Sequence, residues 1–400
     1  MSARLSELKY DPLKFYDDPY PIFHQLREVA PVYRNDGRGL WVLTRYADVL
    51  AAARDWRTFV SSRGVDIDVE DYTLGPGDLL DMDPPRHDEL RRVLRDAFTP
   101  QTVKALEPLI VSKVDELLDP IIERGHGDFA TEFAHRLPFF VVCELFGIPR
   151  VDHGLFEDWF VRMVVRDPEE MAVQDDVWVA GNEMRVYLDD AVRERRGRPR
   201  GDLLSSIAEA VSDGRMTAEE VVGMTRILLV AGVHTTETLI ANSIHLLAPL
   251  PDERRALGQD PSLIPVAVEE LLRYDSPVQW LARATTAPVE LHGQLIPAGE
   301  RVILVWASAN RDDLHFADGE TLDLRRTPNA HLAFGQGIHF CIGAPLARLE
   351  SRIAFKALFT RIPEYRIAGP IERMFTRQER GISKLPVELV GESTKRRAYI

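Results

Sequence analysis

Four hundred residues, 45% hydrophobic and 28% charged, make an ordinary globular composition and exclude a disordered chain. Lys and Arg number 49 against 63 Asp and Glu, a net charge of −14, which argues against a general nucleic-acid binder, whose binding face is basic. Two cysteines, Cys143 and Cys341, are too few for a disulfide framework or a four-thiolate zinc site and fit a reducing compartment.

From the N-terminus, residues Met1 to Tyr10 lack the apolar core of a signal peptide, and no run reaches the roughly 18 uninterrupted apolar residues of a membrane span. The expected location is the cytoplasm, without membrane attachment. Helical periodicity dominates, and strand-like runs occur at Gly39–Thr44, Val289–Leu295 and Arg301–Val305. No linker divides the chain. Cys143 sits in an apolar helix (Phe139, Phe140, Val141, Val142) and reads as an inert buried thiol. The run Arg193–Arg200, RERRGRPR, reads as a solvated loop between helices. Thr217 and Glu220 form a capping box that opens a helix running to about Ala248, where Pro249 and Pro251 stop it. At ~1.5 Å per residue it spans roughly 45 Å, the width of a domain. Apolar residues lie on most of its faces, so it must cross the core. Its centre, Gly232-Val233-His234-Thr235-Thr236-Glu237, gives up helix propensity, which calls for a packing or a functional reason.

Two further constellations follow. Glu270 and Arg273, three apart, share one helix face and can pair. Phe334–Gly343 carries three glycines around Cys341, allowing tight turns and close approach of backbone to a flat ligand. Pro345 then opens an apolar helix, so Cys341 lies at a helix N-terminus, whose positive end would stabilise a thiolate. Inert burial explains these glycines poorly. There is no phosphate loop, H-E-x-x-H or G-x-S-x-G, and His339 with Cys341 cannot complete a zinc site.

These residues resemble the cytochrome P450 family, in its soluble bacterial members. Phe334–Gly343 matches F-x-x-G-x-[HR]-x-C-x-G at every defined position, Glu270-x-x-Arg273 matches the family's E-x-x-R, and Ala231-Gly232-x-x-Thr235-Thr236 matches its central helix. The similarity runs from about Asp18 to Pro386. It implies a mainly α fold with small β-sheets (α+β), one haem domain over residues 1–400, and a long central helix above a buried haem b. By the same resemblance Cys341 is the thiolate ligand of the iron, and Gly343 completes its loop. His87, Arg91, Arg283, His331 and His339 match positions that hold the haem propionates. Glu270, Arg273 and Arg326 match a buried structural network. Gly232 would let oxygen or substrate approach the helix, and Thr235 matches the threonine of proton delivery. His234 stands where the family usually carries Asp or Glu. Three readings stay open: His234 relays protons itself, it packs structurally while Glu237 supplies the acid, or oxygen activation is weakened.

The resemblance implies a monooxygenase that uses O2 to hydroxylate or O-dealkylate a small organic substrate. Electrons would come from NAD(P)H through a ferredoxin and its reductase. Arg91, Arg92, Arg95, Arg348 and Arg352 could form a basic docking patch on a monomeric enzyme that binds neither nucleic acid nor membrane. The expected pocket draws on the segments 61–80, 155–187 and 229–235, on Val278, Gln279, Trp280 and Leu281, and on a closing turn at Ile382. Trp280 reads equally as a core residue. Some resemblance to bacterial enzymes of para-substituted aromatic acids makes Arg63 a candidate carboxylate anchor, against which stand Asp66, Asp68, Glu70 and Asp71; a natural-product scaffold is equally admissible. The alternatives are a family member with a non-hydroxylating outcome (phenol coupling, desaturation or peroxide-driven oxidation) and a haem-binding sensor.

Overall fold

The computed structural model describes residues 10–12, 14, 17–67, 77–164 and 175–390. Asp68, Glu70, Asp71 and the stretch 165–174, all considered above, lie outside them. Six helices position the site: α1 (Arg86–Arg95), α2 (Arg136–Phe146), α3 (His153–Val164), α4 (Ala218–Leu247), α5 (Ile264–Tyr274) and α6 (Ala344–Arg361).

Helix α4 starts and stops where the sequence places it. The Thr217 hydroxyl accepts from Glu220 N–H at 3.2 Å, and the Glu220 carboxylate accepts from Thr217 N–H at 2.8 Å, closing the capping box. The helix is 30 residues long and packs against α2, α3 and α6, at the centre of the largest apolar cluster. By length and composition alone it could cross a membrane, but 72% of its most apolar window is buried inside the protein. Being hydrophobic nearly all round is what a core-crossing helix requires.

A five-stranded sheet forms a second, smaller layer. Labelled along the chain, its strands are β1 (Val32–Asn35), β2 (Leu40–Leu43), β3 (Phe59–Val60), β4 (Leu281–Thr285) and β5 (Arg301–Leu304), in the order β1-β2-β5-β4-β3. Only β2 and β5 pair in parallel, with Leu40 opposite Arg301 and Leu43 opposite Leu304. The expected single strand over Val289–Leu295 is instead a tight hairpin, Val289–Leu291 against Gln294–Ile296. His292 (φ 50°) and Gly293 (φ 74°) both turn left-handed, which folds the run back on itself. A two-stranded ribbon, β6 (Glu372–Phe375) and β7 (Arg380–Lys384), lies against α4.

The run Arg193–Arg200 departs from the expected loop. A helix extends from Asp175 to Gly197. Arg195 is buried, donates to the Gly147 carbonyl at 2.7 Å and pairs with Asp202 at 2.8 Å. One of the five arginines in this charge run is therefore a structural clamp; charge content alone does not reveal which face of a helix turns inward.

Candidate active site

The loop 334–343 is fixed before any ligand is considered. Gly337 has φ 71°, and a Cβ there would lie 2.5 Å from the Ala53 carbonyl oxygen. Only glycine lets the loop press this closely on the end of the helix Tyr46–Arg54. Cys341 N–H donates to Phe334 O at 2.9 Å, and α6 begins three residues on with Pro345 in its first turn. Burial pushes the Cys341 thiol up, and the Gly343 and Ala344 N–H groups with Arg91 and Arg348 pull it down only in part. The N–H groups at the helix terminus favour the thiolate as expected, but desolvation outweighs them. The donors do face the sulfur, and a cation bound there would complete the shift.

Cys341 lines one side of a cavity of about 910 Å³, and α4 lines another with Ala231, Gly232, Thr235, Thr236 and Leu239. The volume lies in the upper part of the usual range for ligand pockets. The Thr235 hydroxyl is exposed to the cavity and donates back to the Ala231 carbonyl at 2.7 Å. Gly232 also has a packing reason: a Cβ would stand 2.8 Å from Val142 Cγ2 of α2.

Four nitrogen-bearing side chains converge at one end. Arg91 donates to Phe340 O at 2.5 Å, and Arg283 to Ala282 O at 2.7 Å. The His87 and His339 rings meet edge to face at 4.6 Å, and His339 Nε2 lies 3.1 Å from Ser61 Oγ. All four line the cavity. Burial drives His339 down to about 2, and the positive fields of Arg283, His87 and Arg91 add to it. Arg283 falls to about 10, chiefly by burial, although Asp83 and Asp81 oppose this. His87 Nε2 is buried without a hydrogen-bond partner among the described residues. Two guanidinium groups and two imidazoles thus share this end of the cavity.

Behind the loop, Arg273 and Glu270 are fully buried and form a bidentate pair at 2.7 and 2.8 Å. Arg273 also donates to the carbonyls of Asn310, Gly319 and Thr321, and Glu270 accepts from Asp323 N–H, Asn329 and Arg326. Arg326 thus joins the pair as expected. His331 is placed elsewhere than in the cavity wall: its Nε2 lies 3.1 Å from Glu269, which Arg348 also grips. Its position just before the loop turns the ring toward α5 rather than the cavity.

Several expected pocket residues also lie outside the wall. Trp280 is a core residue of the sheet layer, packed with Tyr10 and Phe23. Gln279 is buried and donates to Ser276 O at 2.6 Å. Ile382 is fully buried in the main core. Val278 and Leu281 line the wall as expected, and Thr376, Arg377, Gln378 and Glu379 of the β6–β7 connection join them. Arg63 is exposed and is no anchor in the cavity. His234 and Glu237 are buried off the cavity, on the α3 side of α4. Sequence reasoning missed Glu379, Asp81 and Arg226, and covered Asp78 only as part of the segment 61–80. Burial pushes Asp78 up to about 7, with Asp81 adding and Arg226 opposing; Asp81 rises to about 6, chiefly by burial.

Comparison with known proteins follows this geometry. The family model described as Cytochrome P450 matches residues 182–362. The vitamin D(3) 25-hydroxylase of Pseudonocardia autotrophica is 39% identical over 392 residues, 94% of each chain. The chain belongs to the cytochrome P450 family. The 6-deoxyerythronolide B hydroxylase of Saccharopolyspora erythraea is 36% identical over 396 residues, 94% of this chain and 97% of the relative. The solved structure of the bacillaene polyketide synthase cytochrome P450 of Bacillus subtilis superposes with a TM-score of 0.88 at 34% identity, covering 96% of this chain and all of that one. A Bacillus megaterium relative solved in complex with testosterone gives 0.86 at 32% identity, over 94% and 99%. This cytochrome P450 is a monooxygenase that uses haem, O2 and electrons derived from NAD(P)H through redox partners. The residues present fit the haem. The Arg91 and Arg283 guanidinium groups, with the orphaned His87 nitrogen, suit its two carboxylates, and Cys341 offers the sulfur at the cavity wall.

Proposed function

We propose that this cytochrome P450 hydroxylates a neutral, multi-ring natural product of polyketide or steroid character. The observation that carries the reading is one cavity shared by Cys341, Thr235 and the nitrogen-rich end formed by Arg91, Arg283, His87 and His339. Cys341 would ligate the iron, and the four donors would hold the carboxylates. Bound haem supplies oxygen activation and insertion of one oxygen atom into a C–H bond. The chain's own part is to bind, orient and meter protons. Val278, Leu281, Val142 and Ile227 give the cavity apolar walls that position a substrate and exclude water. Thr235 presents a hydroxyl that can accept a proton at Oγ1 and donate one onward.

The relatives named above support the substrate class, since they act on vitamin D(3) and 6-deoxyerythronolide B. An aromatic acid suits the site less well. Arg63 is off the cavity, and Arg377 already pairs with Asp66 at 3.2 Å. Electrons would come from an acidic ferredoxin and its reductase. The exposed Arg92, Arg95 and Arg352 lie on α1 and α6, the two helices that flank the Cys341 loop, and offer the basic patch. A single haem domain acting as a cytoplasmic monomer completes the reading.

The reduced protein exposed to CO should show the red-shifted band of a thiolate-ligated haem, and C341S should lose it. Testosterone or a macrolide should shift the haem spin state, whereas a para-substituted benzoate should not. A C341S spectrum identical to the parent would overturn the ligand assignment, and a benzoate-only response would overturn the substrate class.

A further inference from the structure

On the side of α4 facing α3, ionisable side chains stand in sequence from the cavity to the surface. Glu379 lines the cavity. Its Oε2 is 3.3 Å from Nδ1 of His234, which is only 3% exposed. The geometry falls short of an aligned hydrogen bond, so the contact is an ion-pair approach, poised rather than locked. Glu237, three residues along the same helix, is near enough for its charge to act on His234. Its Oε2 contacts His135 Nδ1 at 2.9 Å. His135 Nε2 stands 3.5 Å from Glu157, a residue of α3 that is 42% exposed. Phe160 packs against both imidazoles, with ring centres at 4.7 Å from His234 and 5.8 Å from His135.

Buried ionisable groups are costly and are tolerated when paired. A purely structural site would be served by one pair. Here acids and imidazoles alternate over five positions, drawn from α4, α3, the segment before α2 and the β6–β7 connection. The two termini of the series are a solvent-exposed carboxylate and a cavity-wall carboxylate.

We propose that Glu157, His135, Glu237, His234 and Glu379 form a proton wire from solvent to the cavity, with Glu379 as the terminal donor. The inference rests on the monooxygenase reading above and adds to it a route particular to this chain. A proton from water enters at Glu157 and passes to His135 Nε2, and the Nδ1 proton of His135 passes to Glu237. From Glu237 it reaches the His234 ring, one turn away on the same helix, whose Nδ1 proton passes to Glu379 Oε2 and so to the cavity. Each imidazole gives up one proton for each it takes, so charge is conserved and both rings reset by turning or by exchange. The acid has thus moved from the helix to the β6–β7 connection, while the histidine behind it feeds it. Burial lowers the His234 pKa, but Glu379 and Glu237 more than offset this and leave it raised, which keeps a proton available near neutrality.

The test has one readout independent of turnover. Titration of the ring nitrogens by 15N NMR in the reduced CO-bound holoenzyme, assigned by single replacement, should show E379Q lowering the His234 midpoint. E237Q should move His234 and His135 together. If E237Q moves His135 alone, the wire is broken and the proposal fails. With testosterone as probe and a surrogate ferredoxin and reductase, E379Q and E237Q should each lower product per NADPH on the order of tenfold or more, with hydrogen peroxide taking up the electrons. The solvent isotope effect should rise, and H234D should recover much of the yield lost in H234A. Yields within twofold of the parent in both variants, with the CO band intact, would overturn the wire but leave the monooxygenase reading standing. Loss of the CO band in the unsubstituted protein would overturn the latter instead.

Discussion

Replacing Glu270 by glutamine removes one charge from a fully buried network, and the cost can be worked from its contacts. The carboxylate takes five hydrogen bonds: two from Arg273 and one each from Asp323 N–H, Asn329 and Arg326. An amide retains one acceptor oxygen and turns an NH2 group toward guanidinium donors. The Arg273 guanidinium, 0% exposed, is left without a counter-charge. Breaking a buried pair from one side costs about 3–5 kcal/mol, against a total stability of roughly 5–15 kcal/mol. Replacing both partners by apolar residues is often neutral elsewhere, but not here. The E270L/R273M double variant strands the carbonyls of Asn310 and Gly319 and the Asp323 N–H, at about 1 kcal/mol or more each, and leaves the Thr321 carbonyl with Arg326 as its donor. Urea unfolding at pH 7, followed by tryptophan fluorescence and by haem absorbance, should place E270Q about 3–5 kcal/mol below the parent. The double variant should lie well below the parent too, yet above the sum of the single changes. An E270Q protein within about 1 kcal/mol of the parent, or a double variant equal to it, would refute the argument.

Burial raises the Glu269 carboxyl, but His331 and Arg348 more than compensate and hold it down at about 2. A depressed carboxylate stabilises the fold above its unfolded pKa, near ~4.5, and that contribution is lost as pH falls through about 2. The gap between parent and E269Q, on the order of 1–2 kcal/mol after allowing for partial exposure, should therefore be full above pH ~5 and close toward pH 2 in acid titrations of urea midpoints. G232A should lower thermal stability by the equivalent of about 1–3 kcal/mol, because the new Cβ meets Val142 at 2.8 Å. Adding V142A should recover part of that loss; a strictly additive double variant would show the contact is not what glycine avoids.

What the sequence made legible is what short-range chemistry determines. The capping box at Thr217, the proline stop after α4, the glycine-shaped loop at Cys341 and the Glu270–Arg273 spacing each lie within a few residues, and each stands where expected. Sidedness was harder. Val278 and Trp280 both point away from the backbone of one extended segment, yet one meets the cavity and the other the sheet core. Whether Ile382 or Glu379 reaches the wall depends on where β7 begins, and a single strand position reverses the answer. His331 pairs with Glu269, 62 residues distant in sequence and itself held by Arg348, a pairing no local pattern announces. Asp78, Asp81 and Glu379 carried no motif at all. Their signal is charge in an apolar wall, visible only once the wall exists.

The wedge of Gly337 against Ala53 joins the sulfur loop to the helix that rides on the five-stranded sheet, while the next residues lead into the helical layer through α6. The two layers thus meet at this short stretch of backbone, as they do through Arg273 and the carbonyls of Asn310 and Gly319. An iron held at Cys341, as proposed above, would brace this seam from the loop side, so that loss of cofactor and loosening of the two layers would be coupled.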